Sequence, residues 1–287
     1  MQLCRLFFIL LCAVITSCAE SKFGKRTWEN APQVLNVSSY DPKEKQRKGD
    51  GYTPLDQSAL KANGALGMIA RSGKGMNNDK KCADFLVGAE RQGLLLGAYY
   101  FVYPSISIEK QADHFLSRLQ QIKKQRGLKT EKVLLVGDID TKCSALDIAR
   151  FIRRVKEKTG VTPVIYLENS APLIARLAAS DRALKDEIKQ APYWLALYNH
   201  TNEHNPHIKT PADLTEAYDI WDSWAMWQYG GVFWEKGRSA PKVYRDGAWQ
   251  PPVYFGSINR PMERNAFNGS VAELKAFWEK HSWAWGE

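Results

Sequence analysis

Short apolar runs alternate with amphipathic stretches from residue 33 onward, and this rhythm predicts repeated strand–helix units. The predicted strands are 33–37, 66–71, 94–101, 133–138, 163–167, 193–198, 224–229 and 254–258. The predicted helices, with apolar residues at helical spacing, are 79–91, 108–124, 144–159 and 171–189. About eight strands with crossover helices favour one (β/α) barrel of the α/β class, resembling a TIM barrel, over a doubly wound sheet.

Several helix ends are marked by individual residues. Ser107 and Ser144 stand where a side chain can cap the first turn of a helix. Gly160 is placed to end the helix that Ser144 begins, and Pro163 then opens the next strand. These signals support the strand–helix rhythm independently of hydrophobicity.

Two acids, Asp138 and Asp140, follow the apolar run 133–136. Side chains alternate along a strand, so both acids lie on one face, about 6.6 Å apart along the backbone. In a closed barrel that face is the inner wall, at the end where barrel enzymes keep their catalytic groups. The same acids would also suit a cap for the helix that begins near Ser144, or a salt bridge in a loop. The motif by itself leaves these interpretations open.

The first 17 residues contain one basic residue and the apolar run 6–15. That run is too short to span a bilayer comfortably and predicts a secretory signal peptide. The segment 15–18 resembles the bacterial lipoprotein box, in which Cys18 is acylated and becomes the new N-terminus. Cleavage of an ordinary signal peptide beside Cys18 is the alternative.

These features divide the chain into a signal peptide, a short tether over residues 18–29 and one barrel domain over residues 30–287. We expect an exported bacterial envelope protein that is held on the periplasmic or surface face of a membrane by its lipid alone. We also expect it to be a monomer. The sequence does not indicate which membrane holds it.

The formal net charge of +9 suits an anionic partner such as a cell-wall polymer or a membrane surface. Lysine and arginine are scattered and accompany no recognised nucleic-acid motif, so nucleic acid is not expected as a partner. No cysteine and histidine cluster has zinc-like spacing, and we predict neither a metal nor a cofactor. An oxidising compartment would permit a disulfide between Cys82 and Cys143, which the sequence leaves open.

Seven runs follow one another in the order of a known family: 93–101, 111–116, 138–140, 159–166, 194–198, 227–229 and 265–269. Together they resemble the family 25 glycoside hydrolases, the Chalaropsis-type lysozymes that cleave peptidoglycan glycan chains. The resemblance extends over about residues 33 to 280. It implies a (β/α) barrel with a groove at the carboxyl ends of the strands and a lysozyme-type hydrolase activity.

The resemblance also implies roles for individual residues. Asp140 corresponds to the proton donor, and Asp138 corresponds to the carboxylate that assists it. Polar groups that shape the groove and aromatic rings that could stack on sugars form the predicted substrate contacts: Asn36, Tyr99, Tyr100, Tyr166, Trp194, Tyr198, Trp227, Gln228 and Glu263. Each aromatic residue could instead belong to the core.

The acids of the family are altered in this chain. Asn36 stands where the family has Asp, Asp140 stands where it has Glu, and Glu263 replaces an Asp. The shorter Asp140 side chain falls about 1 Å short, which can lower a rate about a hundredfold. Three functions therefore remain open: a peptidoglycan hydrolase, a catalytically impaired glycan-binding barrel, or a hydrolase of another polysaccharide.

Overall fold

The computed structural model describes residues 30–41, 55–198, 207–208, 210–230, 232–234, 241–243 and 262–286. Its strands are β1 (Gln33–Val37), β2 (Ala65–Lys74), β3 (Asn77–Asn78), β4 (Leu95–Val102), β5 (Lys132–Ile139), β6 (Val164–Leu167), β7 (Tyr193–Ala196), β8 (Met226–Gly230), β9 (Val232–Trp234), β10 (Pro241–Val243), β11 (Glu263–Phe267) and β12 (Ser282–Ala284). Its helices are α1 (Gln57–Ala62), α2 (Cys82–Arg91), α3 (Ile108–Arg126), α4 (Ala145–Thr159), α5 (Ala171–Ala178), α6 (Arg182–Ile188), α7 (Pro211–Tyr218) and α8 (Val271–His281).

Eight strands form a closed ring in the order β1, β2, β4, β5, β6, β7, β8 and β11, because β1 pairs with both β2 and β11. The pairings from β1 through β8 are parallel, whereas β11 runs antiparallel to both of its neighbours. The predicted single (β/α) barrel is confirmed.

The core has two layers separated by the wall of the barrel. Inside the ring lies a compact cluster that includes Val34, Ile69, Leu134, Val136, Val164 and Met226. The larger layer lies between the strands and the surrounding helices, and on β5 it receives Val133, Leu135 and Ile139. Alternate side chains of each strand thus enter different layers, as the pleat of a strand requires.

The predicted helix ends are largely confirmed. Ser107 and Ser144 cap α3 and α4 with their side chains, and Gly160 ends α4 in the left-handed conformation at φ 74°. The single helix predicted over 171–189 is wrong, because α5 and α6 are separate helices. The break falls at Ser180 and the following Asp; the Ser180 hydroxyl donates to the Arg176 carbonyl, and both residue types favour helix ends over interiors.

The strand predicted over 254–258 lies outside the described residues, as do the signal peptide, Cys18 and the tether. The strand that closes the barrel is β11, which the hydrophobic pattern did not reveal. Glu263, Arg264 and Asn265 make it look like a loop, although Arg264 and Asn265 are buried. Hydrophobic alternation does not reveal a strand in which half of the buried positions are polar, as in β11.

One end of the barrel is sealed by the C-terminal part of the chain. Trp278 on α8 lies under the inner core and donates its indole N–H to the Leu96 carbonyl at 2.7 Å. β12 pairs antiparallel with residues 132–134 at the start of β5. We call this end the floor. The opposite end, where the parallel strands finish, is the mouth.

Two further observations bear on the sequence predictions. Cys82 and Cys143 are both buried and free, so they form no disulfide. Within the described part of the chain, no helix is both long enough and apolar enough to cross a membrane.

Candidate active site

Strand alternation directs a row of β5 side chains from the inner core to the mouth. Leu134 and Val136 are buried inside the ring. Asp138 continues the same row and is partly exposed. Its carboxyl group therefore stands where the core gives way to solvent, on the face that the sequence predicts.

Asp140 lies one residue beyond the end of β5, and the adjoining loop uses its side chain. Its Oδ1 accepts the Lys142 backbone N–H at 2.9 Å, and its own N–H donates to the Val102 carbonyl at 3.1 Å. Asp140 does not cap α4, because Ser144 does so with a capping box. Asp140 thus stays beside the mouth with one carboxylate oxygen bound to the backbone.

A third carboxylate, Glu168, lies next to these acids and was not among the predicted site residues. β6 runs parallel to β5 with Tyr166 paired to Asp138. Glu168 is two residues beyond Tyr166, as Asp140 is two residues beyond Asp138, so the two acids are neighbours on strands about 4.8 Å apart. A sequence signal existed, because Glu168 directly follows the apolar run 164–167. The run that resembles the family ends at Tyr166 and therefore does not include Glu168.

The neighbouring carboxylates contribute to a raised pKa at two of these acids, Asp138 and Glu168. Burial, followed by the charges of Glu168 and Glu263, raises the pKa of Asp138 well above its usual range, while Arg71 acts in the opposite direction. Glu168 is exposed as a whole residue, and partial desolvation of its carboxyl group, followed by the charge of Asp140, raises its pKa. The cluster therefore holds a proton at a pH where isolated carboxyl groups are ionised. Such a proton is what general acid catalysis requires.

The opposite side of the mouth, formed by β1, β8 and β11, carries side-chain amides that bind one another. The Asn36 Oδ1 accepts from Gln228 Nε2 and from Asn265 Nδ2, each at 2.9 Å. The Asn36 Nδ2 donates to the Glu263 carboxylate. All three amides are buried. Asn36 is therefore held at both ends of its amide group, and it fixes the position of Glu263.

Aromatic residues extend this network across β6 and β7. The Tyr166 and Tyr198 hydroxyls both donate to Gln228 Oε1 at 2.7 Å, and Trp194 Nε1 donates to Asn265 Oδ1 at 3.0 Å. Trp194 is only 2% exposed and meets the Tyr166 ring edge to face at 5.0 Å between centroids. Trp194 therefore supports the network from below, whereas Tyr166 and Tyr198 are partly exposed.

A cation reaches the mouth from β2. Arg71 forms an ion pair with Asp79 at 2.9 Å and donates to the Ser39 hydroxyl at 3.1 Å. Its charge lowers the pKa of Asp138 and, against the larger effect of burial, that of the buried Tyr99. Arg71 was not among the predicted site residues, although it lies at an inward position of a predicted strand.

A family model identifies the evolutionary group of this barrel. The model for glycosyl hydrolases family 25 matches residues 45–237, which is more than half of the chain. The chain belongs to this family. The resemblance deduced from the ordered motifs is confirmed.

Solved structures share the family 25 fold with this chain at low sequence identity. The bacterial lysozyme from Streptomyces coelicolor is 19% identical, with a TM-score of 0.52 over 86% of this chain and 97% of that chain. A family GH25 lysozyme from Aspergillus fumigatus is 18% identical, with a TM-score of 0.55 over 86% of this chain and 99% of that one. The spore cortex lytic enzyme SleM from Clostridium perfringens is 20% identical, with a TM-score of 0.57 over 85% of this chain and 69% of that chain.

A curated relative is an uncharacterized protein, YegX, of Escherichia coli strain K12. It is 26% identical over 192 residues, which cover 66% of this family 25 chain and 54% of the relative. The chain therefore spans about half the length of the curated relatives that it matches.

Two predicted substrate contacts of this family 25 barrel lie on its outer face instead of at the mouth. Tyr100 packs on Phe115, and its hydroxyl lies 2.7 Å from His114 Nδ1. Trp227 is buried in the outer layer and donates to the Leu197 carbonyl at 2.9 Å. The physical reason is strand alternation: adjacent residues cannot both face the mouth. The neighbours, Tyr99 on β4 and Gln228 on β8, take the inward positions.

Proposed function

We propose that this family 25 protein is a glycoside hydrolase that cleaves the glycan chains of peptidoglycan. The observation that carries the proposal is the carboxylate cluster of Asp138, Asp140 and Glu168 at the carboxyl ends of adjacent strands, where barrel enzymes perform their chemistry.

Breaking a glycosidic bond requires a proton donor at the leaving oxygen and a negative group that supports the oxocarbenium-like transition state. Asp138 has the position for the supporting role, because it lies deepest of the three acids, beside the cationic Arg71. Asp140 and Glu168, one step nearer to solvent, are the two candidates for the donor.

The rest of the mouth suits a neutral, hydroxyl-rich ligand. The Tyr166 and Tyr198 rings are partly exposed and are held by Gln228, so they offer fixed apolar faces to a sugar ring. Asn36, placed where the family has Asp, contributes to this frame through its bond to Glu263. The net charge of +9 also favours association with an anionic cell wall.

The test is digestion of purified peptidoglycan by the full-length protein, with released muropeptides measured by mass spectrometry. We expect muropeptides from the wild type and a loss of at least about a hundredfold for Asp138→Asn. Binding to sacculi without any product would instead favour a glycan-binding barrel. Products from other polysaccharides alone would reassign the substrate.

We also propose that acylation of Cys18 anchors the protein to a membrane, on the basis of the apolar segment 6–15 and the lipoprotein-like residues 15–18. Growth of the producing bacterium with labelled palmitate should label the wild-type protein. Cys18→Ser should stay unlabelled, and an equally labelled variant would contradict the proposal.

A further inference from the structure

We propose that Glu168, and not Asp140, delivers the proton to the leaving oxygen of the substrate. The inference rests on the proposed function and names the acid that performs its first step. The juxtaposition that supports it is two acids side by side at the ends of β5 and β6, of which only one has the length of the family's Glu.

The register of the two strands places Glu168 correctly. Asp138 is paired with Tyr166, and the next inward positions are Asp140 on one strand and Glu168 on the other. Glu168 has one more methylene than Asp140. The chain thus keeps a Glu in this layer of the mouth, displaced by one strand from the position where the family has it.

The hydrogen bonds of the two carboxyl groups also favour Glu168 over Asp140 as the donor. One oxygen of Asp140 accepts the Lys142 N–H in the loop after β5. In the part of the chain that the structure describes, no group donates a hydrogen bond to the Glu168 carboxyl. Its backbone is nevertheless fixed, because the Tyr218 hydroxyl on α7 donates to the Glu168 carbonyl. Glu168 combines a fixed main chain with a carboxyl group left available for a substrate.

The electrostatics fit a group that carries a proton into the reaction. Burial and the adjacent Asp140 charge raise the pKa of Glu168. In this interpretation Asp140 is a positioning residue, whose charge keeps its longer neighbour protonated. Asp138, one layer deeper, faces the developing cation, and the charge of Arg71 favours its ionised form there.

The proposed reaction is an ordinary hydrolysis of the glycosidic bond. Glu168 transfers its proton to the glycosidic oxygen while the bond from that oxygen to the anomeric carbon breaks, and the bonding electron pair stays on the oxygen as a hydroxyl group. Water then adds its oxygen to the anomeric carbon. One proton of that water returns to the Glu168 carboxylate, and the other remains on the new hydroxyl.

The first test compares Glu168→Gln with Asp140→Asn in initial rates on peptidoglycan, with Glu279→Gln at an exposed position of α8 as the matched control. Loss of a general acid costs about 10²–10⁴-fold, so we expect a loss in that range for Glu168→Gln and a smaller loss for Asp140→Asn. The reverse order would overturn the inference. Asp140→Glu provides a second test: a gain in rate would place the donor at position 140.

A second measurement separates proton donation from a structural role. An aryl glycoside with an acidic phenol as its leaving group needs little protonation, whereas the sugar hydroxyl released from peptidoglycan needs much. We expect Glu168→Gln to lose much less rate on a dinitrophenyl chitooligosaccharide than on peptidoglycan. Equal losses on both substrates would overturn the inference.

The outcomes also distinguish the two proposals. A wild-type protein that releases no product from any glycan would remove the proposed function, and the Glu168 role with it. Equal product from wild type and Glu168→Gln would remove only the Glu168 role and leave the hydrolase intact.

Discussion

The two sides of the mouth are both polar, but they use polarity differently. On the β5–β6 side, neighbouring carboxylates contribute to the raised pKa of Asp138 and of Glu168, and the Glu168 carboxyl group accepts no hydrogen bond from any described residue. On the β1–β8–β11 side, Asn36, Gln228 and Asn265 bind one another and are buried. Buried amides that hydrogen-bond one another make this side of the mouth rigid. A carboxyl group beside like charges keeps its proton to a higher pH and can then donate it.

Glu263 connects the two sides. It is an acid on the amide side, its carboxylate accepts from Asn36, and its charge contributes to the raised pKa of Asp138. We therefore expect the acid side to perform the chemistry and the amide side to stabilise the fold around it. The following predictions test these expectations, from the largest expected effect to the smallest.

The largest effect is expected for Asp138→Asn on the acid side. Loss of the charge that supports the transition state should lower the peptidoglycan cleavage rate about 10³-fold, measured as initial muropeptide release. Asp186→Asn, on an exposed pair with Arg182, is the control and should leave the rate unchanged. A loss below about tenfold would show that the acid side is not the centre of the chemistry.

The amide side is tested by Gln228→Leu. The substitution removes the hydrogen bonds that Gln228 accepts from the Tyr166 and Tyr198 hydroxyls and the one that it donates to Asn36. We expect the free energy of unfolding to fall by about 3 kcal/mol in a urea titration, because three hydrogen bonds worth about 1 kcal/mol each are lost. Gln120→Leu, on an exposed face of α3, should change it little. Equal stability of both variants would mean that the network does not stabilise the fold.

The bond between Asn36 and Glu263 is tested by exchanging their chemistry. Asn36→Asp restores the acid of the family but sets two carboxylates against each other, which should cost about 2 kcal/mol of stability at neutral pH. Adding Glu263→Gln supplies an amide donor again and should recover most of that loss. Additive losses in the double variant would contradict the direct contact.

Stability should also respond to pH through Glu168. Its pKa is raised in the folded state, so the unfolded chain releases this proton at a lower pH. The loss of folding stability caused by ionising Glu168 is absent below the ordinary carboxyl pKa of about 4 and grows as pH rises toward the folded-state pKa. Glu168→Gln should therefore raise the melting temperature at pH 7 and have little effect near pH 4. A gain that is independent of pH would contradict the charge explanation.

The smallest catalytic effect is expected on the outer face. Tyr100→Phe removes a hydroxyl that contacts His114 and Gly75 behind the barrel wall. Stability should fall by about 1 kcal/mol, and the cleavage rate of the folded protein should not change. A clear loss of rate without a loss of folded protein would return Tyr100 to the substrate contacts.

Much of the fold could be predicted because its parallel strands have apolar inner positions. Hydrophobic runs identified β1 through β8 of the ring, and Asp138 followed from alternation along β5. β11 escaped because two of its four buried residues, Arg264 and Asn265, are polar. The side-chain contacts of this strand also reach far along the chain: Asn36 and Glu263 are 227 positions apart. No local pattern records such a pairing.

The candidate site was only partly predictable for the same physical reason. Family motifs pointed to Asp140 but not to Glu168, because the motif carries no acid at that position. Strand pairing was needed to place Glu168 beside Asp140. The family motifs also include two pairs of adjacent residues, Tyr99 with Tyr100 and Trp227 with Gln228. Because side chains alternate along a strand, only one residue of each pair can face the mouth.

The sealed floor has a consequence for how the molecule can be held. The described chain enters the barrel just before Gln33, at the floor end of β1, and finishes after β12 at the start of β5. Both attachment points therefore lie away from the mouth. A support joined to the described chain at residue 30 or at residue 286 would lie on the floor side of the barrel. An immobilised molecule would present its carboxylates outward to an insoluble polymer mesh.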